Sequence, residues 1–169
     1  MSTEEPDGTA GRRRLPSLGP RGEGWVAAQA VLIVIALVAG LRGPRWPRAT
    51  RGPRVAAAIP QLLAGAALMA AGSRGLRGQI TPFPRPHAEG SLRRDGAYGL
   101  VRHPIYGGAL LLVWAWALVS SPLACVPGAL AIPFLETKRR REEAWLAEQH
   151  PEYAEYECQV PRRFIPFVW

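Results

Sequence analysis

Apolar positions fall into three long runs separated by polar segments. Residues 25–41 are apolar apart from Gln29, residues 55–72 apart from Gln61, and residues 106–135 apart from Ser120 and Ser121. A helix that crosses a bilayer core of about 30 Å needs about 17–25 such residues. The first two runs therefore predict one span each. The third is too long for one span and carries Ser120-Ser121-Pro122 near its middle, which predicts a helical hairpin with two short arms. The expected fold is an all-α integral membrane protein with about four apolar arms, two spans plus the hairpin, joined to a cytoplasmic loop and a C-terminal helix and tail.

The polar segments refine this picture. Residues 1–24 are rich in Gly, Pro, Arg and Glu, and are expected to be a disordered tail. Arg12-Arg13-Arg14 before an apolar run resembles the start of a cleaved signal, but the run is long and no small-x-small site follows it before Arg42, so a retained first helix is expected. Residues 41–54 hold five arginines, and Pro44, Pro47 and Pro53 should keep helix out of that loop. Pro60 predicts a kink in the second span, and Gly65 among alanines allows a neighbouring helix to approach closely. Residues 73–103 form a long polar segment with Pro82, Pro84 and Pro86. His103-Pro104 predicts a helix start, because proline drives the preceding residue out of helical geometry and is itself favoured in a first turn. Residues 136–150 continue as a polar helix ended by Pro151. The tail, with Tyr153, Tyr156 and residues 160–166, is mixed aromatic and basic and is suited to lying along lipid headgroups.

At 169 residues the chain has room for one domain, divided into the tail (1–24), two spans (25–72) and a functional region (73–169). The net charge is +8, which in a soluble protein would suggest nucleic acid. Here the arginines sit between apolar runs, so membrane topology explains them and no nucleic-acid partner is expected. The positive-inside rule favours a bacterial-type plasma membrane protein with both termini and the active face in the cytoplasm, although the arginines of residues 42–54 oppose it. Cys125 and Cys158 match no metal-ligand spacing and no disulfide framework. Oligomeric state is left open.

Three polar groups converge on the predicted cytoplasmic face: Tyr98, Arg102, His103 and Tyr106; Lys138, Glu142 and Glu143; and Tyr153, Tyr156, Arg162 and Arg163. The hairpin sets the first two side by side. Each group has an ordinary reading, as topology anchor, exposed ion pair or packing stripe, and only their convergence points to a site. No zinc set, phosphate-cradling loop or nucleophile elbow is present, which leaves chemistry that a cofactor supplies.

The pattern Gly96-x-Tyr98-x-x-x-Arg102-His103-Pro104-x-Tyr106-x-Gly108, then Glu142-Glu143-x-x-Leu146, then Tyr153-x-x-Tyr156-x-x-x-Val160-Pro161-Arg162, resembles the isoprenylcysteine carboxyl methyltransferase family, which is similar in turn to the phospholipid N-methyltransferases. The likeness covers about residues 81–166. It implies a membrane methyltransferase that uses S-adenosylmethionine and takes a lipophilic acceptor (carboxylate, thiol or amine) from the membrane lipid. By the same resemblance Leu92, Tyr98, Arg102, His103, Pro104, Tyr106, Glu142, Glu143, Tyr153 and Tyr156 would bind the cofactor. Lys138 would face the acceptor, together with whichever of Arg162 and Arg163 matches the family arginine. Two further readings remain: an NADPH-dependent sterol-reductase-like enzyme, whose family has a similar Arg-x-Pro-x-Tyr hairpin ending, and a non-catalytic membrane scaffold.

Overall fold

The computed structural model describes residues 16–76, 78, 81–86 and 90–168. Five α-helices make up most of it: α1 (Glu23–Arg42), α2 (Arg51–Leu76), α3 (Pro104–Ser120), α4 (Cys125–Gln149) and α5 (Tyr153–Gln159). Short 3₁₀ turns lie at Arg48–Thr50, Gly96–Gly99 and Pro122–Ala124, and there is no strand among the described residues. Both α1 and α2 are long and apolar enough to cross a membrane, whereas α3 is a shorter apolar helix. Little of α1 or α2 is buried within the chain, so their apolar side chains, Val31, Val34, Leu62 and Leu63 among them, face outward.

The hairpin follows from local chemistry. Pro104 opens α3 behind a non-helical His103. At the other end the Ser121 side chain accepts a hydrogen bond from the Leu123 backbone N–H and so caps the Pro122–Ala124 turn. α4 then runs from its apolar first half into its charged second half without a break. Glycines set the helix spacing. A Cβ on Gly65 of α2 would lie 2.9 Å from the Gly108 carbonyl oxygen of α3, and one on Gly72 would lie 2.9 Å from Pro104 and Ile105. Only Gly permits this approach, and α2 and α3 form the most extensive helix pair.

Three expectations are corrected. Helix begins at Arg51 and includes Pro53, because a proline in the first turn removes a donor that would have no partner there anyway. The part of the 1–24 tail that is described, residues 16–24, is folded: Arg85 donates to the Pro20 carbonyl oxygen at 3.0 Å, and the Arg21 guanidinium lies 4.3 Å over the Phe83 ring. The disorder expected for residues 1–15 lies outside the described residues. Finally, residues 160–166 do not lie free for headgroups but pack onto the start of α3. The Arg102 and His103 N–H groups donate to the Arg162 and Arg163 carbonyl oxygens at 3.0 and 2.8 Å, and Phe164 is completely buried with Leu110, Ala131 and Leu135. The tail can come this close because Gly107 has no side chain: a Cβ there would overlap the Phe164 carbonyl.

Gly107→Val should therefore push the tail off the bundle at a cost of about 1–3 kcal/mol. Limited proteolysis should then cut after residue 150 faster than in the parent chain. An unchanged cleavage pattern would show that the tail does not depend on this contact.

Candidate functional site

The N-terminus of α3, the charged half of α4, and α5 with the tail meet at one end of the bundle. At their junction sits the Glu143 carboxylate. Its Oε1 accepts from Arg102 Nε at 3.0 Å and from His103 Nε2 at 3.0 Å, and its Oε2 accepts from Arg139 Nη1. Burial alone would raise the Glu143 pKa, but the hydrogen bond from His103 and the charges of His103, Arg139 and Arg102 outweigh it and bring it down to about 2. Arg102 extends the network, with Nη1 donating to the Val160 and Pro161 carbonyl oxygens at 2.8 and 3.2 Å and Nη2 pairing with Glu157 at 3.1 Å. Arg139 is bidentate on Glu136, which also takes Arg140 and, at 3.3 Å, Arg163.

Beside this network lies a cavity of about 450 Å³, lined from α1, the end of α2, the segment before α3, α3, α4 and α5. That is within the range of small-molecule and cofactor sites, about 300–1,000 Å³. In its wall the Tyr106 hydroxyl donates to Glu142 Oε2 at 2.5 Å, and the His103 ring stacks on Tyr106 with centroids 5.3 Å apart. Lys138, only 2% exposed, donates from Nζ to Gln29 Oε1 at 2.6 Å and lies 5.2 Å from the Tyr106 ring centroid. Burial lowers the Lys138 pKa and the Glu142 charge partly opposes that. Tyr156 donates to the Tyr98 carbonyl oxygen at 2.8 Å and meets Tyr153 edge to face. Burial first, then Glu142 and Tyr156, keep the Tyr98 phenol protonated well above neutrality.

Leu92, Tyr98, Arg102, His103, Tyr106, Lys138, Glu142, Tyr153 and Tyr156 thus share one cavity wall. Pro104, Glu143, Arg162 and Arg163 do not line it. Pro104 is packed under α2, Glu143 is the hub behind the wall, Arg163 holds Glu136, and the Arg162 guanidinium lies 5.7 Å from the Phe167 ring centroid. Sequence reasoning missed Val26 and Gln29 of α1, Arg93 and His150 in the lining. Gln29 did leave a signal, as the lone polar residue of the first apolar run. Arg93 left none: the Arg93 Nε is buried without a hydrogen-bond partner among the described residues.

No family model and no solved structure matches the chain. The chain is 34% identical over 84 residues to the Delta(14)-sterol reductase of Arabidopsis thaliana, a match covering 47% of this chain and 23% of that protein. The chain therefore spans about a quarter of the length of the curated relative it matches. This match overturns the assignment to the isoprenylcysteine carboxyl methyltransferase family, and with it the methyltransferase activity and the S-adenosylmethionine cofactor. The physical reason lies in what the motif reports. Arg102-His103-Pro104-x-Tyr106 encodes a helix start tied to a tail, an arrangement that does not define a ligand. Among the described residues the cavity wall also sets Arg93 and Lys138 against one carboxylate, Glu142, a poor setting for a sulfonium cation.

Because the Glu143 pKa is depressed in the folded chain, its contribution to stability is complete above the ordinary value of 4.5 and fades as pH falls towards about 2. The thermal midpoint in detergent should drop between pH 5 and pH 3. Glu143→Gln should lower the midpoint at pH 7 and flatten that pH dependence. A parent-like slope in the variant would place the acid-sensitive group elsewhere.

Proposed function

We propose that this chain is a sterol-reductase-like membrane protein, in which a reduced nicotinamide dinucleotide phosphate serves the reduction of a carbon–carbon double bond in a lipophilic substrate. The observation that carries the reading is the 34% identity with Delta(14)-sterol reductase over 47% of the chain. α1 and α2 would hold the protein in the bilayer, and the basic residues around the cavity favour the cytoplasm for that end.

The wall fits such a dinucleotide in its chemistry. Phosphates need cations, and Arg93 and Lys138 supply them: Arg93 with a buried nitrogen that lacks a partner among the described residues, Lys138 with its ammonium out of water and hydrogen-bonded to the neutral Gln29. Arg102 is spent on Glu143, Glu157 and the tail carbonyls, so it acts as a brace. Tyr98, Leu92 and Ile105 offer apolar faces to flat rings and to the substrate.

When bound, the dinucleotide supplies the hydride for one carbon of the double bond. The other carbon takes a proton, and the group built to hold one is the Tyr106 hydroxyl. Its proton lies on the 2.5 Å bond to Glu142, which is half-buried and can be resupplied from solvent. His103, stacked on Tyr106 and fixed by Glu143, sets the ring's orientation. Phe83, Pro84 and Pro86 add apolar surface to the lining.

Purified protein in detergent should quench NADPH fluorescence saturably. Tyr106→Phe should keep that binding but slow reduction of a Δ14-unsaturated sterol about 10²–10⁴-fold, the usual contribution of a positioned acid. Absence of saturable NADPH binding, or saturable binding of S-adenosylhomocysteine alone, would overturn the reading.

A further inference from the structure

The opposite end of the bundle carries a charge pattern that the cavity does not explain. Residues 42–54 contain Arg42, Arg45, Arg48, Arg51 and Arg54, while none of the chain's 13 acidic residues lies between residues 24 and 88 or between residues 96 and 135. This end is formed by the α1–α2 loop and the α3–α4 turn, so five cations gather there with no acidic residue in either connection.

The loop is a built platform. Trp46 Nε1 donates to the Ala117 carbonyl oxygen at 2.9 Å, and Arg54 Nη1 donates to that of Leu118 at 2.5 Å, which satisfies carbonyls that the end of α3 leaves open. The Arg54 guanidinium lies 5.1 Å from the Trp46 ring centroid, and its Nε donates to Thr50 Oγ1 at 3.0 Å. Thr50 is itself tied to the Pro47 carbonyl oxygen at 2.9 Å. Pro44, Pro47 and Pro53 stiffen the segment further. One arginine thus holds the loop in place. The other four, Arg42, Arg45, Arg48 and Arg51, are exposed and have no ion pair or side-chain hydrogen bond among the described residues.

We propose that these four arginines form a docking surface for anionic lipid headgroups. Three observations choose that occupant. The surface joins α1 to α2, the two helices long and apolar enough to cross a membrane, so it would sit at headgroup depth. Trp46 and Trp116, aromatic residues of the kind enriched at membrane interfaces, lie at the same end with both indole N–H groups satisfied. All the cations in the loop are arginine, whose planar fork matches a phosphodiester in two-pronged fashion. A surface of this kind also accounts for a dense basic loop on the side that the positive-inside rule disfavours, since the arginines there serve lipid binding. The inference stands apart from the reductase reading, because no residue of the cavity takes part.

The test is native mass spectrometry of the full chain in neutral detergent, titrated with phosphatidylglycerol or phosphatidylcholine. The parent protein should retain phosphatidylglycerol about tenfold or more tightly, and the preference should weaken with salt. The combined variant Arg42→Gln, Arg45→Gln, Arg48→Gln and Arg51→Gln should lose the preference while keeping its helical circular dichroism. The corresponding four-Lys variant should keep part of it. Equal retention of the two lipids by the parent protein, a measurement that needs no variant, would overturn the proposal. So would a Gln variant with undiminished preference. Displacement of the lipid by equimolar inorganic phosphate would assign the surface to free phosphate and also overturn it.

Discussion

The structure depends most on a single, mostly buried carboxylate. Glu143 binds Arg102, His103 and Arg139, and through Arg102 it holds Val160, Pro161 and Glu157. In this way α3, α4, α5 and the tail share one electrostatic centre. Such a centre adds little net stability, because taking the ions out of water costs several kcal/mol each. What it contributes is geometry. Removing one member leaves charges buried and unpaired, at about 3–5 kcal/mol, so slipped or rotated arrangements of the helices are excluded. The cavity inherits this rigidity: His103 is fixed by Glu143 on one side and stacks on Tyr106 on the other.

Close backbone approach is the second constraint. Gly65, Gly72 and Gly108 let α2 and α3 touch, and Gly107 lets the tail lie against α3. These contacts allow a chain this short to close a cavity with pieces of α1, α3, α4 and α5. The two ends of the bundle then divide the labour. One end pairs Arg102 and Arg139 with carboxylates beside a cavity, and the other displays arginines with no ion pair among the described residues.

The motif residues divide between holding the fold and facing the cavity. Arg102, His103 and Tyr106 do lie beside Glu142, where the hairpin brings the two groups together. Yet the Arg102 guanidinium is taken up by the tail and Glu143, and Pro104 faces α2, so of the motif's residues Tyr106 and His103 are the ones that meet Glu142 at the cavity. Half of the motif is therefore a structural clamp. A clamp of that kind serves a hairpin whatever its ligand, which is why its residues resembled methyltransferases while half of the chain matches a sterol reductase. The sign of the cavity's charge was hidden as well, because Arg93 lies in the long polar segment and was not among the groups expected to converge.

Local chemistry made several features legible in the sequence alone. The three apolar runs, the helix start at Pro104, the turn at Ser121-Pro122 and the end of α4 before Pro151 all follow from hydropathy, proline geometry and capping. Those rules act over a few residues, so they can be read in order along the chain. Contacts between residues far apart were decided only by tertiary structure. The folding of the tail onto Gly107, the pairing of Gln29 with Lys138 across 109 positions, and the sharing of Glu143 among three cations are examples. Each depends on where helices end up relative to one another, set by backbone approach and the cost of burying charge. A linear pattern records which residues are able to meet such demands. Packing alone selects the ones that do.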